Sequence, residues 1–321
     1  MMERSGPGVN RAETRRDGAA DVPLAQHLRG QSSPFVDRTG GPTGIEYLHL
    51  RRDWNGGPIE SEGGAMRRDM DDTMSGWPYE PEPGEVIARE VRARDGRIVV
   101  QVRVELGLLQ MEVGGRPDGT RPHGFATYLD YLRHRAAGRA EDPKGKAPSL
   151  VMSREQCLGA DREFVQFYHR REAWLALQRY DRALRDADHT LALMDFVSRH
   201  GSNEDYIDSH ERFRGLVLFH RTRAAAALAL ERRKPDEAID VVREGAERIA
   251  GHLRRWSQGH DEGDAPNASL IEQLHILENE VRKNFGVEKT LREQLDEAVA
   301  EEDYERAALL RDRLREQSRP F

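Results

Sequence analysis

The stretch Leu291-Arg-Glu-Gln-Leu-Asp-Glu-Ala-Val-Ala300, continued by Glu301-Glu-Asp-Tyr-Glu-Arg-Ala-Ala-Leu-Leu310-Arg-Asp-Arg-Leu314, reads as two short amphipathic helices folded back on each other. Apolar residues fall at Leu291, Leu295, Ala298 and Val299, then at Tyr304, Ala307, Ala308, Leu310 and Leu314. Spacings of three and four put each set on one face of its helix. Glu301-Glu302-Asp303 is the polar elbow between them, and Asp303 is placed to cap the second helix, where its charge suits the dipole. A hairpin this short buries its own stripe poorly, so it needs a second surface: another domain, a copy of itself, or a partner protein. The signal concerns contact rather than chemistry.

The string Leu-x3-Leu-x2-Ala-Val-x2-Glu-Asp-Tyr-Glu-x-Ala-Ala-x2-Arg-Asp in this stretch resembles the UVR motif, named for the excision-repair proteins UvrB and UvrC. In those proteins the motif is a helical hairpin through which one subunit binds the other. Similar hairpins occur in some Clp-type ATPases and in the activator of a bacterial protein arginine kinase. The resemblance implies partner binding through Leu291, Leu295, Val299, Tyr304, Leu310 and Leu314, with Glu302, Glu305, Arg306, Arg311 and Asp312 as a charged rim. Apolar anchors then carry affinity while rim charges set register and on-rate. The motif covers roughly a tenth of the chain, and the activities of its hosts do not travel with it. No Gly-x4-Gly-Lys-[Ser/Thr] loop is present, so the ATPase and helicase readings fall. The kinase activators resemble zinc proteins with several Cys-x2-Cys pairs, whereas this chain has one cysteine, Cys157.

The 321 residues have room for two or three domains. Charged residues make up 33% of the chain, which suits exposed helices. The net charge of −7 argues against a dedicated nucleic-acid binder, whose footprint is a basic face. No apolar run approaches the roughly 18 residues that span a bilayer. A single cysteine and the lack of a secretory-type apolar start fit a reducing cytoplasm.

Residues 1–75 read as a disordered or non-native N-terminal extension, rich in Gly, Pro, Ser, Arg and Asp. Met66, Met70 and Met74 then offer a later start of translation, with a true disordered tail as the alternative. Residues 76–140 read as a small antiparallel β domain with one helix. Asp95-Gly96 between apolar runs signals a hairpin. Its return strand alternates Ile98, Val100, Val102, Val104 and Leu106 against Gln101, Arg103 and Glu105, which predicts a half-buried strand. A third strand runs through Leu108–Val113 after a break at Gly107. Gly114–Gly124 is a turn-rich loop in which Arg116, Arg121 and His123 are candidate contacts for an anion or nucleic acid. The alternative, a structural connection into a helix over Phe125–Arg135, is favoured, because turn residues need no function to be there. The block is similar to one in uncharacterised bacterial proteins that carry a UVR hairpin.

Glu141–Pro148 is a linker by composition, and Ser153-Arg-Glu-Gln156 opens the next helix with a capping box. Residues 150–257 hold four helical stretches. Leu177–Leu184 and Lys234–Ile239 resemble turns of tetratricopeptide (TPR) hairpins, although Ala183 and Ala238 are 55 residues apart, beyond the usual spacing of about 34. Either the helices are long or Gly201–Asp205 inserts a loop, and an ordinary four-helix bundle would serve the same stripes. Residues 258–267 form a linker, 268–286 a connecting helix, and 287–317 the hairpin. The fold class is α+β and predominantly helical.

Nothing in the sequence assembles catalytic or metal chemistry, so no cofactor is expected. The twelve histidines form no metal-ligand spacing, and His169, His220 and His275 lie in amphipathic helices as core or surface residues. Cys157 has no visible base beside it and reads as a small buried residue. The chain is therefore expected to be a non-enzymatic cytoplasmic adaptor. The second reading is a DNA-binding accessory factor of excision repair, with Arg89, Arg92, Arg94, Arg97, Arg116 and Arg121 as a basic face diluted by Glu85, Glu90 and Asp95.

Overall fold

The computed structural model describes residues 70–82, 85–140, 150–257 and 268–317. Most of the expected extension and both expected linkers lie outside these residues. Within the stretch read as an extension, Asp71–Ser75 forms a short helix, α1.

Strands β1 (Ala88–Arg92), β2 (Ile98–Val104) and β3 (Gly107–Glu112) form an antiparallel sheet in that order. Gly96 closes the first hairpin at φ +86°, where a side chain would be strained. Strand β2 is not half-buried as its alternation predicts; both faces are covered. On one face, Val100 and Val102 join Met111 against Ala173, Trp174, Ala183 and Ala227 of the helices. On the other, the segment around Trp77 lies across the sheet. Arg103 Nε donates to Trp77 O at 3.0 Å, and the Arg89 guanidinium sits 3.9 Å from the Trp77 ring centre. Leu106, expected in the core, is 91% exposed. The pairing of Val104 with Gly107 makes Glu105-Leu106 the two-residue turn, one step before the expected break.

Pro122–Gly124 forms a 3-10 turn, so the following helix α2 starts at Tyr128 and runs to Ala140. Its buried face is Tyr128, Leu129 and Leu132, as the spacing predicts. The Glu163 carboxylate, itself fully buried, accepts the N–H groups of Tyr128 at 2.5 Å and Leu129 at 2.9 Å, capping α2 from another element.

Four long helices follow: α3 (Arg154–Ala176), α4 (Tyr180–His200), α6 (Arg214–Glu231) and α7 (Pro235–Trp256), with a short α5 (Glu204–Glu211) before α6. The 55-residue offset therefore has both causes: long helices, and an insertion that is itself helical. Ser153 and Gln156 form the capping box at the start of α3. Helix α8 (Ala268–Phe285) does more than connect. Leu270, Leu274, Leu277 and Val281 pack against Ile239, Val242 and Ile249 of α7, so α8 seals that layer. Helices α9 (Leu291–Ala300) and α10 (Tyr304–Gln317) make the terminal hairpin.

The same turn joins α3 to α4, α6 to α7, and α9 to α10. Gln178, Arg233 and Glu302 take φ of +55°, +57° and +58°. The next N–H reaches back five residues each time: Arg179 to Trp174 O at 2.8 Å, Lys234 to Ala229 O at 2.9 Å, Asp303 to Ala298 O at 2.8 Å. This is the Schellman arrangement with a non-glycine residue at the left-handed position. Five residues beyond each left-handed residue stands an alanine, Ala183, Ala238 or Ala307, buried where the two helices approach.

The helical layer carries charge in its core. Arg170 donates to both oxygens of Asp186, at 2.8 and 2.7 Å, and also to Glu112 O and Gly115 O, both at 2.9 Å, binding the sheet to the helices. Arg171, with no solvent exposure, donates to Thr190 Oγ1 at 2.9 Å and to His220 Nδ1 at 3.2 Å. Burial holds the His220 imidazole well below its ordinary value, and the charges of Arg171 and Arg223 push the same way. Burial also lowers His169 and His252.

Two outcomes follow from these contacts. Gln178→Gly and Glu302→Gly each relieve a strained φ and are expected to raise stability by up to about 1 kcal/mol, seen as higher urea midpoints at unchanged slope. Neutral His220 is favoured only in the folded chain, whereas the unfolded imidazole takes up a proton below about pH 6.5. Its contribution is therefore complete above that pH and declines as the pH falls toward the folded value. Thermal midpoints are expected to fall between pH 7.5 and 5.5, with a shallower fall in His220→Asn.

Candidate partner-docking hairpin

Helices α9 and α10 pack chiefly on each other. Ala298, Ala307 and Leu310 are buried in their seam, with Leu291 and Leu295 partly buried against them. Asp303 caps α10 as expected, accepting the Arg306 N–H at 3.0 Å. The small side chains bring the two backbones close, and the seam so formed takes up only part of the apolar surface. Val299 is 53% exposed, Tyr304 70% and Leu309 68%.

The hairpin is joined to the helical layer by polar contacts at its base. Thr290 and Glu293 form a capping box, and Thr290 Oγ1 donates to Asp240 Oδ1 of α7 at 2.9 Å. Glu293 Oε1 accepts from Arg243 of α7 and Arg282 of α8, both at 2.7 Å. Desolvation raises Glu293, but the hydrogen bonds from Arg282 and the Thr290 N–H, with the charges of Arg282 and Arg243, outweigh it and hold the carboxyl below its ordinary value. Further out, Lys289 and Glu297 pair at 2.6 Å, which lowers Glu297.

Residues 289–317 match the model of the UvrB/uvrC motif. The matched segment begins at this polar base and ends with α10. No curated protein and no solved structure matches the chain.

The structure divides the residues singled out in the sequence. Val299, Glu302, Tyr304, Glu305, Arg306, Arg311 and Asp312 are exposed on the hairpin, while Leu291, Leu295 and Leu314 are half-buried. Leu310 differs from its expected role as a contact residue: it is 5% exposed and holds the hairpin shut. Its neighbour Leu309, which the spacing did not select, is the side chain that faces solvent. Helical periodicity narrows the choice to adjacent positions, and only the partner helix decides between them.

The loop candidates separate as well. Arg116 is buried, with Nε 3.2 Å from Gln166 Oε1 and 3.3 Å from the Asp118 carboxylate, so its charge is answered inside the protein. Arg121 and His123 are exposed. Of the other arginines proposed as a basic face, Arg97 pairs with Asp95 and Glu112, Arg92 donates to Gly96 O, and Arg89 donates to Gln101. Glu90 holds Arg179 and Arg182 at 2.6 and 2.8 Å. Among the described residues there is no cluster of His, Cys, Asp and Glu suited to a metal ion, and no helix long and apolar enough to cross a membrane.

Leu310→Ala is expected to cost about 2 kcal/mol or more, and hydrogen exchange should show residues 291–317 opening while α3 and α6 stay protected. Tyr304→Ser and Leu309→Ser are expected to change stability by less than about 0.5 kcal/mol.

Proposed function

We infer that the protein is a non-enzymatic cytoplasmic adaptor or regulator that docks a partner protein through the outer surface of its terminal hairpin, with the TPR-like helical layer as a second contact surface. The observation that carries this reading is the exposure of Val299, Tyr304 and Leu309 on a hairpin whose seam is already closed by Ala298, Ala307 and Leu310. Surface apolar residues of this size on a short helical pair supply anchors, and the charged residues around them exclude wrong partners. The motif match supports it, since the resemblance is to hairpins that join subunits.

The second reading, a DNA-binding accessory factor of excision repair, rests on the namesakes of the motif. DNA binding that weakens steeply with salt favours the second reading, and its absence in a gel shift at low ionic strength favours the first. Cross-linking from position 305, exposed and unchanged in the variant below, followed by mass spectrometry, identifies the partner in the full chain. The triple variant Val299→Asp/Tyr304→Asp/Leu309→Asp is expected to keep its thermal midpoint and lose the cross-linked species. Retention of the same partner by the folded triple variant would falsify docking through this face.

A further inference from the structure

A different surface, formed by the 3-10 turn and α2, carries an aromatic ladder that the hairpin reading does not use. The His123 imidazole stacks on Tyr131 with ring centres 3.9 Å apart and planes at 23°. Phe125 lies 6.0 Å from Tyr131 and 5.1 Å from His134, tilted against both. His123 and His134 are exposed, and Phe125 and Tyr131 are half-buried, so the cluster is open to solvent on part of its surface. His123 holds φ at +50°, a left-handed conformation that histidine tolerates better than most residues, and this turn sets its ring against Tyr131.

Positive charge flanks the ladder. Arg121 is exposed, and among the described residues its guanidinium makes a long 3.5 Å contact to Gly124 O. Arg135 is exposed one turn beyond Tyr131, on the same side of α2. Acids also stand on these elements. Asp118 is held by Arg116, Gln166 and Thr120, and Asp130 accepts from Thr127 Oγ1 at 2.8 Å. Glu155, at the start of α3, adds a negative charge on the Tyr128 side. Arg121 and Arg135 thus place two exposed positive charges on this part of the surface, beside the charges of Asp130 and Glu155.

We propose that the ladder His123, Tyr131, Phe125 and His134, with Arg121 and Arg135 beside it, is a contact site for single-stranded nucleic acid. Bases stack on the rings and phosphates lie against the two guanidiniums. Every base has a π-face, so such a site tolerates sequence, and a duplex that keeps its bases stacked cannot use it. An acidic peptide would answer the arginines but leave the rings unoccupied. The site is separate from the terminal hairpin; it deepens the second, DNA-binding reading and stands apart from the first.

The test is fluorescence anisotropy of the full chain with a labelled oligothymidylate, the matching duplex, and a poly-glutamate peptide as probes. The single strand is expected to bind best. With two phosphate contacts its affinity should fall about sevenfold between roughly 50 and 200 mM salt, from a slope of about −0.7 per contact. His123→Ala is expected to weaken binding about fivefold or more through loss of one stacking partner. Arg121→Glu should weaken it further and flatten the salt dependence. Both residues are exposed, and circular dichroism melts check that the variants fold; should His123→Ala not fold, Arg121→Glu alone decides. The hairpin triple variant is expected to bind the oligonucleotide unchanged. Absence of binding at low salt, equal affinity for duplex or poly-glutamate, or indifference to Arg121→Glu would overturn the proposal.

Discussion

Two helices can approach no closer than the side chains at their crossing permit, and three times this chain sets an alanine there. Ala183, Ala238 and Ala307 each follow a turn whose left-handed residue reverses the chain with two backbone hydrogen bonds. In the first two hairpins the close approach sits inside a larger layer. The sheet closes one end through Val100, Val102 and Met111, and α8 closes the other through Leu270, Leu274, Leu277 and Val281. The third hairpin has the same turn and the same alanine but no such cover. The difference in environment, rather than in local geometry, leaves Val299, Tyr304 and Leu309 in solvent.

What binds the parts together is polar where the apolar clusters end. Arg170 spans from Asp186 to the carbonyls of Glu112, the last residue of β3, and Gly115 just beyond it, and Glu163 caps α2 while holding His189 at 3.0 Å. Removing one member of such a buried pair leaves an uncompensated charge, so these contacts fix the relative placement of sheet and helices more firmly than their net energy suggests. At the hairpin base, the network of Thr290, Glu293, Asp240, Arg243 and Arg282 has the same character but lies nearer the surface. It holds the hairpin in place without covering its outer face.

The features legible in the sequence are the local ones. The capping box at Ser153, the cap at Asp303, the Asp95-Gly96 turn and the helical stripes all depend on residues a few positions apart. Three features depended on distant partners and were not legible. Strand β2 reads as half-buried because nothing in its own pattern announces that Trp77 and its neighbours cross its outer face. Arg116 reads as a free cation because Gln166, on another element, receives it together with Asp118 and holds that carboxylate in place. Leu309 and Leu310 are adjacent and chemically alike, so only the position of α9 decides which is buried. The aromatic ladder was visible only in part: His123 stood out among turn residues, but its stacking on Tyr131 needed the 3-10 turn that delays α2 by three residues.

The account rests on an outer hairpin surface that the protein's own fold leaves open for a partner. Hydroxyl-radical footprinting of the purified full chain tests this most directly, with and without the partner cross-linked at position 305. The account predicts that Tyr304 and Leu309 oxidise readily in the isolated chain while Leu310 does not, and that both become protected in the complex. Protection of Tyr304 and Leu309 in the isolated monomer, or unchanged oxidation in the complex, would contradict it.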